Sequence, residues 1–127
     1  MIAPALRTAD YLGHMLDAMD RIRRYTSGID FSGFKSQQLV QDAVIRNIEI
    51  VGEAARNIAS NDPGFIAAHP EVPWAKAIQT RDRVSHGYST VQLDIIWATI
   101  QRDLPAMEVQ AAALLDALSS PRSDPKV

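Results

Sequence analysis

Apolar residues recur along this chain at steps of three and four, the spacing of one helix face, and no segment carries a convincing strand signal. Leu12, Met15, Met19 and Ile22 form the first stripe, widened by Tyr11, Ala18 and Tyr25. The pattern predicts a helix from near Thr8 or Asp10 to about Thr26, with Gly28 as its stop signal. Residues 28–36 hold glycine, serine, Phe31 and Phe34, and read as a loop with aromatic anchors. A second stripe, Val40, Val44, Ile48, Val51, Ala55 and Ile58, predicts a long helix from about Ser36 to Ser60. Leu39 and Ile50 lie near its edge. Its opposite face carries Arg46, Glu49, Glu53 and Arg56, spaced to pair with one another along the helix. Such pairs are worth a few tenths of a kcal/mol. Gly52 sits inside this pattern at a cost of about 1 kcal/mol relative to alanine. Close approach by a neighbouring helix or a partner subunit would offset that cost.

Residues 60–73 break the period. Asn61-Asp-Pro-Gly64 is a turn signal, and Pro70 and Pro73 bracket a rigid connection. Pro73 suits the first turn of a third helix, where a missing N–H costs nothing. Trp74, Ala77 and Ile78 give that helix a core face, and Gly87 interrupts or ends it. Thr90 is the expected N-cap of a fourth helix with Leu93, Ile96, Trp97 and Ile100 as its stripe. Pro105 is expected to end or kink it. Ala106 to Leu118 is rich in alanine and leucine and reads as helix again. From Ser119 the apolar content falls, and a frayed tail is expected over 119–127. The reading is an all-α, up-and-down bundle of four or five helices, one domain with its core at about 8–118.

The 127 residues suffice for one buried core. No cysteine is present, which excludes disulfides, thiolate metal sites and a cysteine nucleophile. A formal charge of -2 argues against a protein that coats nucleic acid through a broad basic field, but leaves room for a local cationic cleft. The basic cluster Arg21, Arg23, Arg24 reads as a solvated helix face. No apolar stretch is long enough to cross a membrane, and the first residues lack a basic leader and a signal core, so a cytoplasmic location is expected.

Chemistry concentrates in Arg81-Asp-Arg-Val-Ser-His86-Gly-Tyr88. Arginine offers a permanent charge and a planar fork for phosphate oxygens. Histidine offers an imidazole that moves a proton near neutral pH. Together they meet the minimum for cleaving RNA through its own 2′-hydroxyl, with no metal required. On a straight helix, positions five apart lie about 140° from each other. Arg81 and His86 therefore converge only if the helix ends near His86, or if a second subunit supplies its copy across a two-fold axis. A histidine before glycine is also commonly a plain helix terminus, and spacing alone leaves that plainer reading slightly ahead. Asp82 is suited to hold Arg81 or Arg83, or to orient His86. Arg83 is suited to add phosphate affinity, and the Tyr88 phenol to donate to a phosphate or to His86. His14 and His69 show no metal-ligand spacing. Glu49 and Glu53, one turn apart, lack the Glu-x-x-His partner helix of a di-metal bundle.

These residues resemble a known family. Arg81, four residues, His86, one residue and Tyr88 look like the Arg-x4-His-x-Tyr motif of HepT-like proteins of the HEPN superfamily. Gln41 to Ala55 is similar to the family's second-helix signature. Pro73-Trp74, Asp94-Ile-Ile-Trp-Ala-Thr and Asp103-Leu-Pro105 match its pattern around the motif. The resemblance covers about residues 10–118. It implies a HEPN-type all-α homodimer whose motifs face each other across a cleft. It further implies a metal-independent, cofactor-free endoribonuclease, the toxin of a toxin–antitoxin pair, with Arg81 and His86 as the catalytic pair and Asp82 and Arg83 in support. Tyr88 corresponds to the tyrosine to which an MntA-type nucleotidyltransferase antitoxin transfers AMP from ATP. Thr80 departs from the apolar residue, often methionine, that usually precedes the motif arginine.

Overall fold

A computed structural model describes residues 4–86 and 92–119, with side chains over 7–85 and 92–119. The first apolar stripe becomes helix α1 (Pro4–Thr26), which begins earlier than the stripe itself does. Leu12, Met15, Ala18, Met19 and Ile22 are wholly buried, each larger side chain contributing about 1.5–3 kcal/mol. Tyr25 does not widen the stripe; it is 39% exposed. Its neighbour Thr26 is buried instead, and its hydroxyl donates to the Ile22 carbonyl at 2.8 Å. Gly28 ends the segment with φ 79°, a left-handed conformation that a β-carbon would oppose.

The stretch expected to be an anchored loop is a short helix, α2 (Phe31–Ser36). Six residues cannot sustain a helix alone, so its ends are held by side chains. The Asp30 carboxylate accepts from the Gly33 N–H at 2.8 Å, and the Gln41 amide donates to the Phe34 and Lys35 carbonyls at 2.9 and 3.0 Å. The aromatic anchoring is present: Phe34 is fully buried, and its ring centroid lies 5.2 Å from that of Trp97.

Helix α3 (Gln38–Asn61) buries Val44, Ile48, Val51, Ala55 and Ile58, while Leu39 projects outward, 82% exposed. It runs antiparallel to α1, since Arg21 Nε donates to Asn47 Oδ1 at 2.7 Å and Thr8 Oγ1 to Asp62 Oδ2 at 2.8 Å. The turn signal at Asn61–Gly64 opens another short helix, α4 (Pro63–Ala68), with Asp62 as its N-cap and Pro63 in its first turn. Pro73 then directly precedes α5 (Trp74–His86), and its carbonyl accepts the Ala77 N–H at 3.1 Å. Trp74, Ala77 and Val84 face the core.

Helix α6 (Leu93–Ala98) follows; the expected cap at Thr90 lies outside the described residues. Pro105 does not end the segment. The chain passes through a π-helical turn, Thr99–Asp103, into α7 (Leu104–Ser119), and the Leu104 N–H donates to the Thr99 carbonyl five residues back. Proline lacks an N–H, and its ring crowds the carbonyl four residues before it. A wider turn just ahead gives the ring space without breaking the rod. Ile96, Ile100, Leu104, Met107 and Ala111 remain buried throughout. The long elements α1, α3, α5 and α6–α7 form the expected all-α bundle, and no strand occurs among the described residues. Among those residues no helix is long and apolar enough to cross a membrane. In the basic cluster on α1, Arg23 pairs with Asp20 and Glu108 and Arg24 with Asp20, while Arg21 donates to the Asn47 amide oxygen.

Candidate active site

The site begins with a glycine. Gly52 lies where α3 meets α5, and a β-carbon built on it would stand 2.1 Å from Arg81 Cβ and 2.8 Å from the Ala77 carbonyl oxygen. Only a residue without a side chain lets the two helices approach this closely. The expected neighbouring helix is therefore α5, and the contact fixes the root of Arg81.

From that root the Arg81 guanidinium reaches between two carboxylates. Nη1 donates to Asp82 Oδ1 at 2.8 Å and Nη2 to Glu53 Oε2 at 3.2 Å. The Arg81 side chain is 23% exposed, against 60% for Glu53. Its pKa is raised, first by the hydrogen bond to Asp82 and then by the charges of Asp82 and Glu53, against the opposing effect of desolvation. The cation is held in a fixed pose with part of its fork open to solvent.

The charged face of α3 does not pair mainly with itself. Arg46 does approach Glu49 at 3.8 Å. Glu49 also accepts from the Ser85 hydroxyl at 2.8 Å, Glu53 takes Arg81, and Arg56 lies 3.4 Å from Asp82. The Glu49–Ser85 and Glu53–Arg81 links run in antiparallel order, the Arg56–Asp82 contact crosses that order, and together they form a polar ladder between α3 and α5. Glu49 and Glu53 are thus engaged by Ser85 and Arg81. Among the described residues no cluster of three or more histidines and carboxylates could hold a metal ion.

Asp82 touches Arg81 and Arg56. Arg83 stands apart: two positions from Arg81, it lies about 160° round the helix and lines a groove on the other side of α5. His86 is the last residue of α5. The expectations for its imidazole, and for Gly87 and Tyr88, lie outside the described residues. Thr80 donates to the Lys76 carbonyl at 2.8 Å and borders a small apolar void with Ile48, Val51, Leu104 and Met107.

A family model described as Ribonuclease HepT-like matches residues 15–114, a span that includes Gly52, Glu53 and the whole Arg81–Tyr88 segment. The chain belongs to this family. It is 36% identical over 99 residues to a protein of Thermococcus cleftensis named "Probable ribonuclease HepT", covering 78% of this chain and 87% of that one. It is 33% identical over 105 residues to a "Putative RNase" of Caldanaerobacter subterraneus subsp. tengcongensis, covering 83% of this chain and 91% of that one. A Methanocaldococcus jannaschii protein, "Gamma-glutamylcyclotransferase and putative RNase", is 29% identical over 114 residues. The match takes in 90% of this HepT-like chain but spans only half the length of that relative. No solved structure matches the chain.

Two residues of this HepT-like site escaped the sequence reading as participants, Glu53 and Glu49. A signal was available. Positions 49 and 53 are both acidic and in antiparallel order meet Ser85 and Arg81, while the base at 56 meets Asp82.

Proposed function

We propose that this chain is a metal-independent endoribonuclease, the toxin of a HepT/MntA-type toxin–antitoxin pair. Arg81 and His86 are its catalytic pair. The observation that carries the reading is the locked Arg81 guanidinium on the α3–α5 seam of a Ribonuclease HepT-like chain. In the proposed reaction His86 takes the proton of the RNA 2′-hydroxyl, whose oxygen bonds to the adjacent phosphorus. Arg81 neutralises the charge gathering on the phosphoryl oxygens. The bond to the 5′-oxygen breaks, and that oxygen receives a proton from the imidazolium. The products are a 2′,3′-cyclic phosphate and a 5′-hydroxyl. Asp82 and Arg83 support the pair, by holding the guanidinium and by adding affinity for phosphate. A homodimer sets two copies of the motif across one cleft.

Tyr88 is the proposed acceptor of AMP from ATP, transferred by an MntA-type nucleotidyltransferase antitoxin. Each adenylyl group adds bulk and negative charge beside a phosphate-binding cleft. It repels RNA and competes for Arg81.

The test is intact mass together with RNA cleavage in EDTA, on protein produced with and without such a nucleotidyltransferase. Unmodified protein is expected to cleave RNA, and to stop doing so in Arg81→Ala and His86→Ala. Co-produced protein is expected to carry AMP, lost in Tyr88→Phe. Intact RNA with folded, unmodified protein defeats the reading. One observation favours a second reading, a nucleotide- or RNA-binding subunit without turnover: the Arg81 fork is already occupied by Glu53 and Asp82. That reading expects binding of ATP, AMP or RNA by calorimetry and no cleavage.

A further inference from the structure

On the face of α5 turned away from Glu53 lies an open groove of about 700 Å³ between α5 and the α6–α7 rod. That volume falls within the roughly 300–1,000 Å³ of small-molecule sites. Lys76, Gln79, Thr80 and Arg83 line it from α5, and Gln92, Ile95, Thr99 and Arg102 from the opposite wall. Val84 and Ile96 give it an apolar floor. The charges do not cancel. Lys76 Nζ is paired with Asp103 Oδ2 at 2.6 Å, which removes that lysine and that carboxylate from the balance. Among the described residues no ion pair involves Arg83 or Arg102, so each wall presents one arginine. Arginines on both walls, with amides and hydroxyls between them, suit a strand that carries phosphates and base edges together. Position 86 is three residues from Arg83 and seven from Gln79, which on a helix puts it about 60° and 20° from them. The groove therefore lies on the same side of α5 as position 86, and its lining on that helix runs from Lys76 to Val84.

We propose that this groove is the binding track for single-stranded RNA, with Arg83 and Arg102 each holding a backbone phosphate. The identity of the strand as RNA rests on the ribonuclease reading; the track itself rests on the groove. Two like-charged walls disfavour a second copy of the chain as the occupant, because its own arginines would face these.

The probe is a 2′-O-methyl oligoribonucleotide, which cannot be cut by attack of its own 2′-oxygen. Binding is measured by anisotropy over a series of salt concentrations. Each phosphate contact contributes a slope of about -0.7 to log K against log salt for single strands. Arg83→Ala and Arg102→Ala are each expected to flatten the slope by about 0.7 and to weaken binding several-fold at low salt. Arg102→Lys is expected to retain the slope. Arg24→Ala, on a helix that does not line the groove, is expected to match wild type. Unchanged slopes in both groove variants overturn the track, as does a change in oligomeric state by sedimentation with the slope unchanged. Failure of the ribonuclease reading is a different result: slopes that fall as expected while unmodified RNA stays uncut.

Discussion

Gly52 and Arg81 are in contact with no space between them: a β-carbon on the first would overlap Cβ of the second, 2.1 Å away. An exposed helical Gly→Ala change stabilises by about 1 kcal/mol. Here the sign is expected to reverse, because the α5 backbone at Ala77 stands in the way as well. Gly52→Ala should lower stability by about 1–3 kcal/mol in urea unfolding. Among molecules still folded by circular dichroism, RNA cleavage should fall further than stability does, since the root of Arg81 is displaced. An alanine variant as stable and active as wild type would show that the seam yields without cost.

Glu53 holds one arm of the Arg81 fork from an exposed position and adds little to stability; under the proposed function it competes there with an RNA phosphate. Glu53→Gln should leave the melting temperature nearly unchanged and tighten RNA binding about three- to tenfold. Weaker binding in this variant would mean that Glu53 orients the guanidinium for RNA and does not oppose it.

Arg81 has its pKa raised by Asp82 and Glu53. A raised value means that the stabilisation from its charge is complete below the unfolded-state pKa and is lost only as pH climbs through the folded one. Both lie far above neutral, so Arg81 stays charged across about pH 5 to 9. Arg81→Lys should therefore reduce cleavage by loss of the planar fork, while the shape of its pH–rate profile over that range matches wild type. A profile whose shape changes in the lysine variant would assign the titrating group to this position.

The same ladder marks how far the chain could be read from its sequence. The stripes of α1, α3 and α5 were legible because burial follows the helical period over several turns. α2 and α4 were not, since six residues are too few to show a period. Their caps, Asp30 before Gly33 and Asp62 before Pro63, were present but read as loop and turn. That Asp82 is suited to hold Arg81 was legible from their adjacency. Glu53 was not, because pairing along one helix and pairing across two helices draw on the same residues.

Thr80 stands where the resembled family usually has an apolar side chain, above a small void of about 30 Å³ edged by Val51, Leu104 and Met107. Its hydroxyl only returns to its own helix. Thr80→Met should fill the void and raise stability by about 0.5–1 kcal/mol, seen as a melting temperature about 2–4 °C higher. A lower melting temperature would show that the methionine cannot reach the void without strain.

Asp62 has two tasks, capping α4 and accepting the buried Thr8 hydroxyl of α1. Asp62→Ala should cost about 1–2 kcal/mol by chemical unfolding, with faster amide exchange at Phe65 and at the start of α4. Asp62→Asn, which keeps an acceptor, should recover most of the loss. Equal losses in both variants would trace the effect to charge alone.

The π-helical turn ahead of Pro105 carries one more residue than an ordinary turn would, and that makes the length of this stretch a fixed quantity. Deleting a single residue between Thr99 and Asp103 would return the turn to an ordinary α-helical one, keep the downstream faces, and set the Pro105 ring against the carbonyl four residues before it. Inserting one ahead of Arg102 would instead turn the downstream faces by about 100°, swinging Met107 and Ala111 out of the core and Arg102 off its wall of the groove. Point substitutions here can be absorbed one at a time, but an added codon cannot. The rod joins the packing of α7 to the shape of the groove through a count of residues, and insertions and deletions test that count more severely than any exchange of side chains.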